Sequence, residues 1–184
     1  MALKATVFKA MVQIADMDRR YYADHVLTLA RHPSETDEHL MVRLLGFVMF
    51  ADYGLAFGKG LSSNEEPDLW QKDLTGEIKL WLEVGLPDAG IIRRACGRPE
   101  QVVVLSYGRI ADICWSRNRG VLKMLHNLTV LYVPSKSTLA LAALANRTMQ
   151  LQFAIQEGHI MMTSKAGMIE VEPQLLHGVL HSLR

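Results

Sequence analysis

From Glu77 to Val84 the chain alternates without a break. Ile78, Leu80, Leu82 and Val84 fall on one face and Glu77, Lys79, Trp81 and Glu83 on the other, which is the period of two that marks a half-buried strand. Thr75-Gly76 is the expected turn, and a two-residue loop there sets Leu74 opposite Glu77, Lys72 opposite Lys79, Trp70 opposite Trp81 and Asp68 opposite Glu83. Upstream, Lys4 to Ala15 and Val26 to Ala30 read as two strands joined by the polar segment Asp16 to Tyr22, a long hairpin. Ser34 is the expected N-cap of a helix running from Glu35 to about Tyr53, with Asp37 completing an approximate capping box. Its middle, Leu40 to Phe50, is apolar on nearly every side and therefore belongs between layers or at a subunit contact.

Beyond that helix the alternation continues. Leu55 to Leu61 predicts a short strand and Ser62 to Pro67 a polar loop into the hairpin. Ile91 to Cys96, opened by Pro87-Asp88 and closed by Gly97, predicts a short helix. The β-branched run Gln101 to Tyr107 predicts a strand buried on both faces. Then come a helix over Ala111 to Leu125, a strand over Leu128 to Val133, a helix over Thr138 to Ala145, and paired strands over Met149 to Ile155 and His159 to Thr163; the tail from Gln174 to Arg184 reads as a frayed helix. The fold class is α+β, and 184 residues with 49% hydrophobic content suit one domain spanning 1–184.

A net charge of +1 excludes a globally basic nucleic-acid binder, so any such contact has to come from a local patch. Cys96 and Cys114 have no C-x-x-C spacing and suggest neither a zinc knuckle nor a disulfide. The opening residues lack the apolar region of a signal peptide, and the Leu40 to Phe50 run, interrupted by Arg43, falls short of the ~20 residues that span a bilayer; the expectation is a cytoplasmic protein without a membrane partner. No G-x-S-x-G or P-loop is present. His32 has no further ligand placed near it by sequence, and His177 and His181 share a spacing of four without the glutamate of a zinc-protease motif.

The chemistry concentrates on Asp68 and Glu83. The register above places them side by side with Cβ atoms roughly 5 Å apart. Two like charges in that position repel, and a fold retains them when one carboxyl holds a proton or a cation bridges them; hard oxygen ligands suit Mg²⁺ or Mn²⁺. Two unrelated surface acids fit the same spacing, because a one-residue slip moves them to opposite faces. Arg93, Arg94, Arg98, Arg109, Arg117, Arg119 and Lys123 lie on neighbouring elements and together can form a phosphate-binding rim for DNA or RNA, although a solvated face accounts for any one of them. Trp70 and Trp81 read either as a cross-strand pair or as a stacking platform for bases.

The succession helix, three strands, helix, strand, with Pro67-Asp68 opening the hairpin and Glu83 near its end, resembles the core of the PD-(D/E)xK nucleases. The whole chain resembles the bacterial YaeQ family through its opening Met-Ala-Leu-Lys-Ala-Thr6, Leu27-Thr-Leu-Ala-Arg-His-Pro-Ser-Glu-Thr36, Leu80-Trp-Leu-Glu-Val-Gly-Leu-Pro-Asp88, Ala95-Cys96 and Asn146-Arg-Thr-Met149. The resemblance implies a mixed β-sheet flanked by helices, a restriction-endonuclease-like core with extra N- and C-terminal hairpins. It implies Asp68 and Glu83 as metal ligands, with Glu35 as a third acid from the first core helix; the helix N-terminal dipole also favours an acid at that position. The motif lysine is missing: Gly85 stands two positions after Glu83, and Arg94 on the next helix is the replacement the resemblance suggests. An arginine stays charged and can stabilise a phosphate without serving as a base. The function implied is Mg²⁺-dependent phosphodiester hydrolysis of DNA or RNA; the alternative is a nuclease-fold protein that binds nucleic acid or a protein partner without cutting.

Overall fold

The computed structural model describes residues 4–59 and 66–179, so Leu61, the loop over 62–65 and His181 lie outside the described residues. The N-terminal hairpin is longer and tighter than its polar segment suggested. Strands β1 (Thr6–Asp16) and β2 (Tyr21–Arg31) pair antiparallel along their full length, from Thr6 opposite Arg31 to Asp16 opposite Tyr21. The turn shrinks to residues 17–20, where Arg20 takes a φ of 56° and the Asp16 carboxylate accepts from Arg19 N at 3.0 Å and Arg19 Nε at 2.6 Å. Tyr22 and Asp24 are polar positions of a strand with one face in water, which is why hydropathy alone ended that strand too early.

Helix α1 (Asp37–Phe50) starts later than the sequence suggested: the N-cap is Thr36, whose side chain accepts from His39 N, and Glu35 lies outside the helix in a turn closed by Glu35 N donating to the His32 carbonyl. From His39 to Phe50 every residue of α1 is buried. Two sheets account for this. Strands β3 (Leu55–Phe57), β4 (Leu69–Lys72), β5 (Ile78–Val84), β6 (Gln101–Tyr107), β7 (Leu128–Val133) and β11 (Gln174–His177) form a six-stranded sheet in the order β11-β7-β6-β5-β4-β3, while β8 (Thr148–Gln156), β9 (His159–Ser164) and β10 (Gly167–Val171) join β1 and β2 in a five-stranded sheet in the order β10-β9-β8-β1-β2. The terminal hairpins expected as appendages thus unite through a parallel β1–β8 pairing, and α1 is packed between the two sheets. Gly46 allows the close approach; a Cβ there would stand 3.1 Å from Leu105 Cδ1 and 3.3 Å from Leu82 Cδ2.

Strands β5, β6 and β7 run parallel, connected by α2 (Ala89–Ala95) and α3 (Ala111–Leu122), which cover the sheet face opposite α1 through Trp81, Ile92, Ala95, Val102, Val104, Leu122 and Leu128. Helix α4 (Ser135–Ala142) packs on α1. The tail is a strand rather than a helix, because the free edge of β7 takes up β11, Thr129 Oγ1 donates to the Val179 carbonyl at 2.9 Å, and Gly178 (φ +83°) passes where a Cβ would meet the Leu128 carbonyl at 2.3 Å. Among the described residues no helix is long and apolar enough to cross a membrane.

Candidate functional site

The acidic hairpin keeps the register that matters and loses the turn that was expected. Trp70 pairs with Trp81 and Leu69 with Leu82, so continuing by one pair sets Asp68 opposite Glu83. The connection is not a two-residue Thr75-Gly76 loop. Asp73 Oδ1 accepts from Thr75 N (2.8 Å), Thr75 Oγ1 (2.6 Å) and Glu77 N (3.0 Å), and a bulge between Gln71 and Lys72 brings Lys72 opposite Ile78. The bulge removes the Lys72–Lys79 opposition, and Lys79 instead meets the Glu100 carboxylate at 2.5 Å. Trp70 and Trp81 form an edge-to-face pair, centroids 6.3 Å apart, within the layer under α2.

Asp68 sits at the mouth of β4, where the ladder to β5 ends. Its Oδ2 accepts from Val84 N at 2.7 Å, replacing the backbone carbonyl the strand no longer supplies, and its Oδ1 lies 3.3 Å from His39 Nε2. The His39 Nδ1 is in turn 3.1 Å from the Tyr107 hydroxyl at the end of β6. Burial, then the negative charge of Glu38, pushes the Tyr107 phenol up to about 12, so it stays protonated. The consistent assignment is Tyr107 O–H donating to Nδ1 and Nε2–H donating to Asp68. Across the hairpin, Glu83 Oε1 accepts from Trp81 Nε1 at 2.8 Å. Burial pushes the Glu83 carboxyl up to about 7; Asp68 adds to the rise, while the Trp81 hydrogen bond and His39 oppose it. Of the two resolutions open to opposed acids, the unliganded protein takes the first: one of them holds its proton near neutrality.

His39 and Tyr107 were not singled out by sequence reasoning. The signals were slight, a lone histidine opening an otherwise apolar helix and a tyrosine at the carboxyl end of an apolar parallel strand, the end at which open α/β sheets place their ligands. They converge beside Gly85, whose φ of +103° suits no side chain; a Cβ there would stand 3.9 Å from His39 Cε1 and 4.0 Å from Tyr107 Cε1. The position that in the motif would carry a lysine is bordered by these two side chains.

Glu35 is engaged elsewhere. Its carboxylate is 3.1 Å from Arg43 Nε, it accepts from His32 N at 3.1 Å, and both partners of the ion pair are buried. Arg43 also donates to the Ala30 carbonyl at 3.2 Å and lies over the Phe57 ring. Arg93 and Arg94 are exposed in the last turn of α2, which leads away from the strand ends that carry the acids, and neither has an ion-pair partner among the described residues. Arg98 follows that helix, Arg117, Arg119 and Lys123 line the second half of α3 and its cap, and all are exposed. Arg109, two residues after Tyr107, is the cation of this set nearest in sequence to the site, and it is also exposed.

Among the described residues no three His, Cys, Asp or Glu side chains converge into a closed metal cage. The donor chemistry fits a different case, a hard cation held by one or two carboxylates that keeps most of its water, as Mg²⁺ does. Asp68 and Glu83 are such a pair: Glu83 Oε2 carries no protein hydrogen bond among the described residues, and its raised pKa reports a site short of positive charge.

The comparisons with known proteins bear on the whole chain. The family model for YaeQ protein matches residues 1–173. The uncharacterized YaeQ proteins of Salmonella typhi and Escherichia coli K12 are each 42% identical to it, covering 94% and 93% of this chain and 96% and 95% of their own lengths. The crystal structure of YaeQ from Xanthomonas axonopodis pv. citri superposes with a TM-score of 0.92 at 46% identity, covering 95% of this chain and 99% of that one; YaeQ from Pseudomonas syringae gives 0.92 at 35%, covering 95% and 97%. With nearly the full length matched in both sequence and structure, the chain belongs to the YaeQ family.

Proposed function

We propose that the protein is a Mg²⁺- or Mn²⁺-dependent phosphodiesterase acting on DNA or RNA, with Asp68 and Glu83 as the protein ligands of the cation. The observation that supports this most is the opposition of two half-dry carboxylates, one of which holds its proton to about neutral pH for want of a compensating charge. When bound, the cation would supply charge neutralisation at a phosphate oxygen and a water of lowered pKa. The chain's own part is positional. Val84 N–H and His39 fix the Asp68 carboxylate, and Trp81 fixes that of Glu83. His39 and Tyr107 present N–H and O–H groups next to Gly85, on the side where the motif would place its basic residue.

The exposed arginines fit a supporting role. Glu83 shares the sheet face of Trp81, the face covered by α2 and α3, so the acids and Arg93, Arg94, Arg98, Arg109, Arg117, Arg119 and Lys123 belong to one side of the molecule. We assign these residues to the nucleic-acid backbone, each contributing to a salt-dependent affinity rather than to the chemical step. Arg94, expected from the motif to stabilise the phosphate, is placed in this binding set because it sits in the last turn of α2.

The test is cleavage of single- and double-stranded DNA and RNA with Mn²⁺ present. Wild type should cut at least one of them, and Asp68→Asn and Glu83→Gln should each abolish cutting. Arg94→Ala should weaken substrate binding and leave turnover at saturation within a few-fold. Cleavage that survives both acid substitutions would reject the site. Salt-sensitive binding without any cleavage, retained in Glu83→Gln, would establish instead a nuclease-fold protein that binds nucleic acid without cutting.

A further inference from the structure

We infer that two copies of this chain associate through the free edge of β2, in antiparallel register about a dyad at Val26, and so merge their five-stranded sheets into one.

Four strands end the two sheets, and three of them are poor templates for pairing. Strand β3 has three residues, β11 has four with an irregular register, and β10 has five with Glu170 among them. The fourth, β2, runs for 11 residues with an unbroken register to β1, contains no proline, glycine or bulge, and has no strand on its other side among the described residues. Short length, bulges, proline and charge are the devices that keep sheet edges from pairing. Strand β2 carries only Asp24 within it and Arg31 at its end.

Symmetry restricts the partner arrangement. A two-fold axis perpendicular to the sheet makes the edges antiparallel, closes the assembly at two copies, and sets one residue opposite its own copy. An axis at Val26 uses the whole strand: Tyr21 faces Arg31, Tyr22 faces Ala30, Ala23 faces Leu29, Asp24 faces Thr28, and His25 faces Leu27. No like charges meet, a large ring stands opposite a small residue, and the guanidinium of Arg31 finds an aromatic face. An axis at Asp24 would oppose two aspartates, and one at His25 would set Asp24 against Val26. Val26 is also 79% exposed and Tyr22 64% exposed, so the pairing covers the most exposed apolar positions of the strand. About ten backbone hydrogen bonds would form, because every second residue of each strand points its N–H and C=O outward.

Light scattering should give wild type a mass twice 20.7 kDa at micromolar to millimolar concentration. Val26→Lys places two ammonium groups across the dyad and Val26→Glu two carboxylates; each variant should be monomeric with unchanged circular dichroism, since the side chain is exposed in the protomer. Mixed in equal amounts, the two variants should recover the doubled mass. A monomeric wild type overturns the inference, as do a Val26→Lys dimer, a mixture that fails to re-associate, or growth beyond two copies.

Discussion

Glu83→Gln tests the electrostatics of the site without any substrate. The amide keeps an oxygen for Trp81 Nε1 and removes the ionisable carboxyl. In the wild type the carboxyl moves from its ordinary value of 4.5 to about 7, and at about 1.4 kcal/mol per pH unit this amounts to on the order of 3 kcal/mol. The sign follows from where the proton sits. Below pH 4.5 the group is neutral in both folded and unfolded chains and costs nothing; between 4.5 and about 7 folding takes up a proton, so its contribution to stability falls as pH rises; above about 7 the folded protein carries the buried charge and bears the full cost. Urea unfolding in chelator at about pH 4.5 and about pH 8 should therefore show the variant close to wild type at the lower pH and more stable at the higher, by up to about 3 kcal/mol. Saturating Mg²⁺ should narrow the gap at the higher pH by stabilising the ionised wild type. A difference that does not change with pH, or a variant less stable at about pH 8, would refute the claim that Glu83 is held short of positive charge.

The other predictions concern neighbouring positions. Glu35→Gln leaves the buried Arg43 guanidinium without its counter-charge and should destabilise the fold by about 3 kcal/mol while preserving the Mn²⁺-induced rise in melting temperature; Asp68→Asn should abolish that rise. A lost Mn²⁺ response in Glu35→Gln would return Glu35 to the set of metal ligands. Gly46→Val should cost about 1–3 kcal/mol in urea unfolding, because its branched side chain would press on Leu105 and Leu82; a neutral outcome would show that α1 is not in close contact with the sheet.

Much of this architecture was legible from periodicity, and its failures have local causes. Strands β5, β6 and β7 declare themselves through strict alternation or continuous β-branched runs, and the Trp70–Trp81 register follows from the alternation. What periodicity cannot show is partnership at long range. The parallel β1–β8 pairing joins segments some 140 residues apart. The tail forms β11 because an edge of β7 is free, although its own pattern of leucines fits a helix equally well. At the site, the two acids were legible because the hairpin is local. His39 and Tyr107 reach them from α1 and β6, and Glu35 is drawn to Arg43 by burial that no sequence spacing encodes.

The most direct test of the central claim is anomalous diffraction from crystals grown with Mn²⁺. A single strong peak within coordination distance of both the Asp68 and Glu83 carboxylates, about 2–2.5 Å from their oxygens, is the predicted result. Ordered crystals with no peak between those two side chains, or with the peak displaced to another group of ligands, would contradict it.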